Sequence, residues 1–216
     1  MRSPPIRGHI LPTLPSTDFP SWGIGAGGYR EGRRKEIGHG GPARGAHPRP
    51  GYDTRYPLFA YTGEALRRTG FDVHEITWTA PERFAPDRDG PAAAAGWVVG
   101  QVEQALGERT DLLVGKSLGS LAAPLAAGRG LAAVWLTPLL HRPEVVEALA
   151  RATAPVLLVG GTADPFWDGA VARRLTPHVL EVPDAHHGML VPGPLARSAE
   201  VLGRVCTAVE EFVQIS

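Results

Sequence analysis

The chain of 216 residues carries 22 Lys+Arg against 22 Asp+Glu and is 43% apolar and 20% charged, a composition that supports one globular domain plus some extra and excludes a disordered or fibrous chain. Zero net charge gives no electrostatic footprint for nucleic acid or an anionic membrane surface. The single cysteine, Cys206, excludes an internal disulfide and a thiolate metal cluster. The opening MRSPPIRGHILPTLP has no secretory apolar region and no apolar run reaches membrane-spanning length, so a cytoplasmic protein is expected.

Residues 1–50 hold 10 Gly and 8 Pro with 8 basic and 3 acidic residues, too many backbone-special residues and too little periodicity for regular elements. They read as an irregular segment, and 51–216 as the folded domain. His9, His39 and His47 read as residues of this tail, and His74 and His178 as surface residues. From residue 51 onward short apolar runs alternate with segments of helical period, the pattern of a parallel sheet with crossover helices. In chain order they predict a helix over Leu58–Arg68, a strand over Phe71–Trp78, a helix over Ala92–Leu106, a strand over Asp111–Gly115 and a helix over Leu118–Ala127. A strand over Ala132–Thr137, a helix over Pro143–Ala150, a strand over Pro155–Gly160, a helix over Asp168–Leu175, a strand over Val179–Val182 and a closing helix over Leu195–Phe212 follow.

Gly115-Lys116-Ser117-Leu118-Gly119 is a G-x-S-x-G placed between a buried-type strand and a helix, the context a nucleophile elbow requires. Small residues two before and two after the serine let the chain turn sharply, presenting Ser117 above the strand end and aiming the Leu118 N–H at a developing oxyanion. A serine needs a base, and the base needs a carboxylate that fixes its tautomer. Asp164, in GGTADPFW, and His187, in VPDAHHGM, follow the next strand ends; loops at the carboxyl edge of a parallel sheet converge on one crevice. Asp168 is the rival acid but sits where a helix begins, as an N-cap. His186 is an alternative base that physical reasoning leaves open, and His141 reads as a surface or pocket-lining residue. Lys116 beside the elbow is expected to be exposed, with a modulating effect on the oxyanion as the alternative.

The segments PGYDTRYPLFAYTGEALRRTGFDVHEITW, VGKSLGS, LLVGGTADPFW and VPDAHHGM together resemble a small, lidless bacterial α/β-hydrolase of the dienelactone-hydrolase-like group, over about residues 51–213. The resemblance implies a mostly parallel sheet flanked by helices without a large cap domain, a triad of Ser117, Asp164 and His187, and serine hydrolysis of an ester-like bond. It favours His187 over His186, because Pro183, Ala185 and His187 fall on matching places of the family's histidine loop. It also implies a second oxyanion N–H from Gly51 or Tyr52.

Two departures stand out. Dienelactone hydrolases proper use a cysteine where this chain has Ser117, and the apolar strand that relatives place just before Gly51-Tyr52 is replaced by GHGGPARGAHPRP. A missing central strand would weaken fold and catalysis alike, with a mis-assigned start or a shifted reading frame as its explanation, and it motivates an inactive hydrolase-fold binding protein as the alternative function. Tyr52, Phe166, Trp167, Leu140 and Met189 lie on loops around the crevice and suggest an apolar acyl or aryl group of a small-molecule ester, although each could equally be packing. The G-x-G-x-x-G at Gly23–Gly28 lacks a preceding strand and the Walker-like ending at Ser117 lacks its first glycine, so no nucleotide, other cofactor or metal is expected. Cys206 falls among core residues of a helix, and the sequence leaves oligomeric state open.

Overall fold

A computed structural model describes residues 6–11, 56–76, 91–106 and 110–215. Six strands, β1 (Ile6–Leu11), β2 (Phe71–Glu75), β3 (Leu112–Lys116), β4 (Ala132–Leu136), β5 (Val156–Gly161) and β6 (His178–Val182), form one sheet in the order β2-β1-β3-β4-β5-β6, and every pairing is parallel. The helices among the described residues are α1 (Pro57–Arg68), α2 (Pro91–Ala105), α3 (Ala123–Arg129), α4 (Pro143–Arg151), α5 (Gly169–Leu175) and α6 (Leu195–Val213), with a 3-10 turn over Ser117–Ala122 between β3 and α3. Prolines early in α1, α3 and α4 supply preset φ where no intrahelical N–H bond is lost. Gly130, in the left-handed region at φ 64°, terminates α3.

Buried on both faces, β3, β4 and β5 carry near-continuous apolar runs, and alternation sorts them into two cores. Leu112, Val114, Val134, Leu136, Leu157 and Val159 pack with Leu58, Phe59 and Leu66 of α1 and Val201, Val205, Val209 and Phe212 of α6. On the opposite face Leu113, Ala133, Trp135 and Leu158 meet Val98 and Val102 of α2, Leu121 of the 3-10 turn, Ala126 of α3, Val145 of α4 and Ala172 of α5. The result is a three-layer α/β/α domain. No helix among the described residues is long and apolar enough to cross a membrane.

The expectation of a missing strand is overturned. β1, with the sequence IRGHIL, lies between β2 and β3, pairing Ile6 with Phe71 on one side and Gly8 with Leu112 on the other. The sheet therefore draws one of its strands from before residue 51. Arg7, Gly8 and His9 interrupt the apolar pattern, which is why periodicity passes over it. Two-sided ladder pairing, burial of Ile10 and Leu11 in opposite cores, and packing of Gly8 against Phe71 supply what propensity does not. His9 is accordingly buried, its ring stacked on His74 at 5.3 Å between centroids, and is not a tail residue. The other elements agree with expectation to within a few residues, except that the helix after Ser117 divides into the 3-10 turn and α3, and β2 ends at Glu75.

Candidate active site

The order of strands reverses direction between β1 and β3, and the crevice at such a switch point, outside the carboxyl ends of the strands, is where open α/β sheets place ligands. Ser117 stands there directly after β3, with φ +50°. A left-handed backbone at a non-glycine residue costs on the order of 1–3 kcal/mol and is held only by its surroundings. Those surroundings are specific. A Cβ at Gly115 would lie 2.6 Å from the Trp135 ring and 3.1 Å from the carbonyl carbon of Gly119, so the tight turn needs the small residue before the serine. Ser120 Oγ donates to the Ser117 carbonyl at 2.7 Å and accepts from the Leu139 N–H at 3.1 Å, tying the turn to the loop after β4. Nothing in the G-x-S-x-G spacing singles out Ser120; the second serine in GKSLGS is its only signal.

Asp164 follows β5 in a turn closed by its own N–H on the Gly161 carbonyl, and its side chain is inaccessible to solvent. One carboxylate oxygen accepts the Phe166 N–H at 3.0 Å, and the other lies 2.8 Å from His187 Nδ1. On the far side of the imidazole, Nε2 is 2.7 Å from Ser117 Oγ. A carboxylate only accepts, so Nδ1 carries the proton and donates to Asp164, leaving Nε2 free to accept the Ser117 hydroxyl proton. The three residues read from separate loops are thus brought into one hydrogen-bonded relay. His186 is excluded from it: this ring is exposed and its Nδ1 accepts the Gly188 N–H at 2.8 Å. Asp168 caps α5, accepting the Val171 N–H at 2.9 Å.

The histidine loop is seated on β5 by close backbone approach. Ala163 N–H donates to Ala185 O at 3.1 Å, Thr162 N–H to Val182 O at 3.0 Å, and Asp184 N–H to Thr162 Oγ1 at 2.8 Å. Gly161 permits this, since a Cβ there would sit 2.0 Å from the Ala185 carbonyl oxygen. Burial pushes His187 below the ordinary imidazole value, the hydrogen bond to Asp164 pulls it back up, and the positive charge of Lys116 lowers it further.

Lys116 departs most from expectation. Far from being exposed, it is 3% accessible, and its Nζ donates to the His187 carbonyl at 3.0 Å. Strand alternation explains the burial: next to Gly115, which faces Trp135, position 116 points to the α1/α6 side of the sheet under the histidine loop.

Of the side chains expected to meet substrate, Phe166 is half-buried with its ring edge-on to His187 at 5.2 Å and tilted against His141 at 4.8 Å. Leu140 and Met189 are buried, one in each core. Trp167 packs over Gly160 and donates its indole N–H to Glu181 at 2.8 Å. Leu118 N–H lies in the first turn after Ser117, where helical N–H groups have no intrahelical partner. Gly51 and Tyr52 lie outside the described residues. No group of His, Cys, Asp and Glu suited to a metal occurs among the described residues. Cys206 is half-buried on α6.

No protein-family model matches the sequence, and no curated protein sequence matches it. Solved structures do match. Arrangement and connectivity define the α/β-hydrolase fold, and this chain has it. Est1E from Butyrivibrio proteoclasticus, in a structure with ferulic acid bound, aligns at a TM-score of 0.57 with 14% identity over 97% of this chain and 89% of that one. XC6422 from Xanthomonas campestris, described as an α/β serine hydrolase without a lid, aligns at 0.52 with 16% identity over 96% and 82%. An α/β serine hydrolase homologue from Coxiella burnetii aligns at 0.53 with 13% identity over 94% and 84%. No cap domain is inserted here after β4 or β5, whose connections contain only α4 and α5.

Proposed function

We propose that the chain is a serine hydrolase that cleaves a small carboxylic ester through an acyl-enzyme on Ser117. The observation that carries this reading is His187, bridging Ser117 Oγ at 2.7 Å and Asp164 Oδ2 at 2.8 Å above the carboxyl edge of the sheet. Ser117 Oγ attacks the ester carbonyl carbon as its proton passes to His187 Nε2, and the buried Asp164 carboxylate stabilises the imidazolium. The tetrahedral oxyanion accepts the Leu118 N–H, with Gly51 or Tyr52 as the second donor. Collapse expels the alcohol, which takes the Nε2 proton. Water then repeats the sequence on the acyl-enzyme, giving its proton to Nε2 and returning Ser117 to its starting state.

The Phe166–His141 aromatic pair beside His187 supports an apolar acyl or aryl group, and the lack of an inserted cap supports a small, accessible substrate. The alternative of an inactive binding protein drew on a missing central strand, and β1 removes that motive. The test is labelling by a fluorophosphonate probe, followed by hydrolysis of p-nitrophenyl acetate. The parent is expected to be labelled and to release nitrophenolate, with both activities lost in Ser117→Ala and His187→Ala. A folded parent that takes up no probe refutes the reading.

A further inference from the structure

Among the described residues, Lys116 and Asp164 are the buried members of the Lys, Arg, Asp and Glu set. Asp164 is accounted for by the relay, but Lys116 is not. An ammonium placed in an apolar layer costs stability unless it is paired and hydrogen-bonded, and an aliphatic side chain would fill the same volume at less cost. Its surroundings indicate what the cost achieves. The histidine loop turns tightly, with Asp184 and Met189 both at φ +59°. Its Ala185 carbonyl is fixed by Ala163 N–H and its His186 N–H by the Leu190 carbonyl. The carbonyl of His187, the residue that carries the imidazole, is held by Lys116 Nζ at 3.0 Å, across 71 residues of chain.

We propose that Lys116 is a positioning residue of this site, whose buried ammonium fixes the His187 main chain against β3 and holds a positive charge beside the Asp164–His187 pair. The inference rests on the hydrolase reading above. One residue thereby links the nucleophile and the base: Lys116, the last residue of β3, is adjacent to Ser117, so the strand end that aims the hydroxyl also fixes the loop that aims the imidazole. The charge has a second effect. Lys116 and His186, on the histidine loop, oppose protonation of His187, while Asp164, on the β5 loop, favours it; His141, on the β4 loop, faces the same pair. A fixed cation therefore keeps the imidazole neutral, and able to act as a base, to lower pH.

The test is the rate of fluorophosphonate labelling as a function of pH in the parent, Lys116→Met and Lys116→Arg, with folding checked by circular dichroism. Loss of the anchor in Lys116→Met is expected to slow the plateau rate by about 10- to 100-fold, the effect of misplacing a reacting group by an ångström. The same change is expected to move the acid midpoint upward by at least ~0.3 pH unit, a twofold change in the imidazole equilibrium. Lys116→Arg keeps the charge and a donor, so its acid midpoint should stay with the parent.

Parent rate and midpoint in a folded Lys116→Met overturn the proposal. So does a slower rate with an unmoved midpoint, which would leave Lys116 a packing residue. Should Lys116→Met not fold, the parent still decides. Burial pushes the ammonium down to about 8, opposed by Asp164, and labelling should step down several-fold as it deprotonates, because a charge-assisted bond is about twice as strong as a neutral one. A rate flat from about pH 7 to 10 overturns the proposal. A folded parent that is not labelled at any pH refutes the hydrolase reading itself, an outcome distinct from all of these.

Discussion

Gly161→Ala introduces a single methyl group where the chain is least able to accept one. The added Cβ would stand 2.0 Å from the Ala185 carbonyl oxygen, 2.6 Å from its carbon and 2.7 Å from its Cβ, whereas ordinary contact begins near 3.4 Å. Two of the three obstacles are backbone, so no rotamer change relieves the clash and the histidine loop must retreat by roughly 1 Å or more. The retreat strains the Ala163–Ala185 hydrogen bond of 3.1 Å and withdraws His187, two residues on, from a contact of 2.7 Å with Ser117. Overpacking costs about 1–3 kcal/mol and the weakened hydrogen bond about 1 kcal/mol. At about 2–4 °C per kcal/mol for a chain of this length, Tm should fall by roughly 5–15 °C. Misplacement of the base should slow labelling of Ser117 by on the order of 100-fold. Differential scanning calorimetry and timed labelling with a fluorophosphonate, below the melting range, measure the two effects separately. An unchanged Tm together with an unchanged labelling rate would refute the close approach of Gly161 to the histidine loop and the coupling argued from it.

Three further outcomes follow from the same geometry. Asp164→Asn can keep one oxygen for the Phe166 N–H but turns its amide toward His187 Nδ1, forcing the tautomer that cannot accept the Ser117 proton; ester hydrolysis should drop by about 10⁴, some 5 kcal/mol, with little change in Tm. The base must be neutral to act, and burial sets His187 below its ordinary 6.5, so activity should be lost with falling pH through a midpoint below that value; a midpoint above it in a pH–rate profile contradicts the site. Asp168→Ala removes only the cap of α5 and should lower stability by about 1 kcal/mol in urea unfolding while leaving the labelling rate at the parent value.

What the sequence discloses, and what it withholds, follows from how local each signal is. Ser117 is legible because a tight strand-to-helix turn demands Gly115, and the ring of Trp135 shows why. Asp164 and His187 are legible because both follow apolar strands, and parallel strands deliver their following loops to one edge. The N-cap role of Asp168 depends only on the next three residues. β1 was hidden because its six residues include Arg7, Gly8 and His9, and its support comes from β2 and β3, far along the chain. Lys116 was hidden for a related reason: residue type suggests exposure, while the parity of its position in β3 decides burial. Leu140 and Met189 are the reverse case, loop residues that turn inward and join the cores.

The position of β1 also bears on how the chain assembles. β2 and β3 are not hydrogen-bonded to each other; among the described residues the six of β1 join them, and Gly8 meets Leu112 across a sequence separation of more than 100 residues. Contacts of that span are entropically late, so β3 through β6 can order with their own crossovers before β1 enters. Until it does, the elbow strand is an open edge, with backbone donors and acceptors exposed to any other extended segment. A change to residues 6–11 would therefore act on the middle of the sheet and not on its periphery.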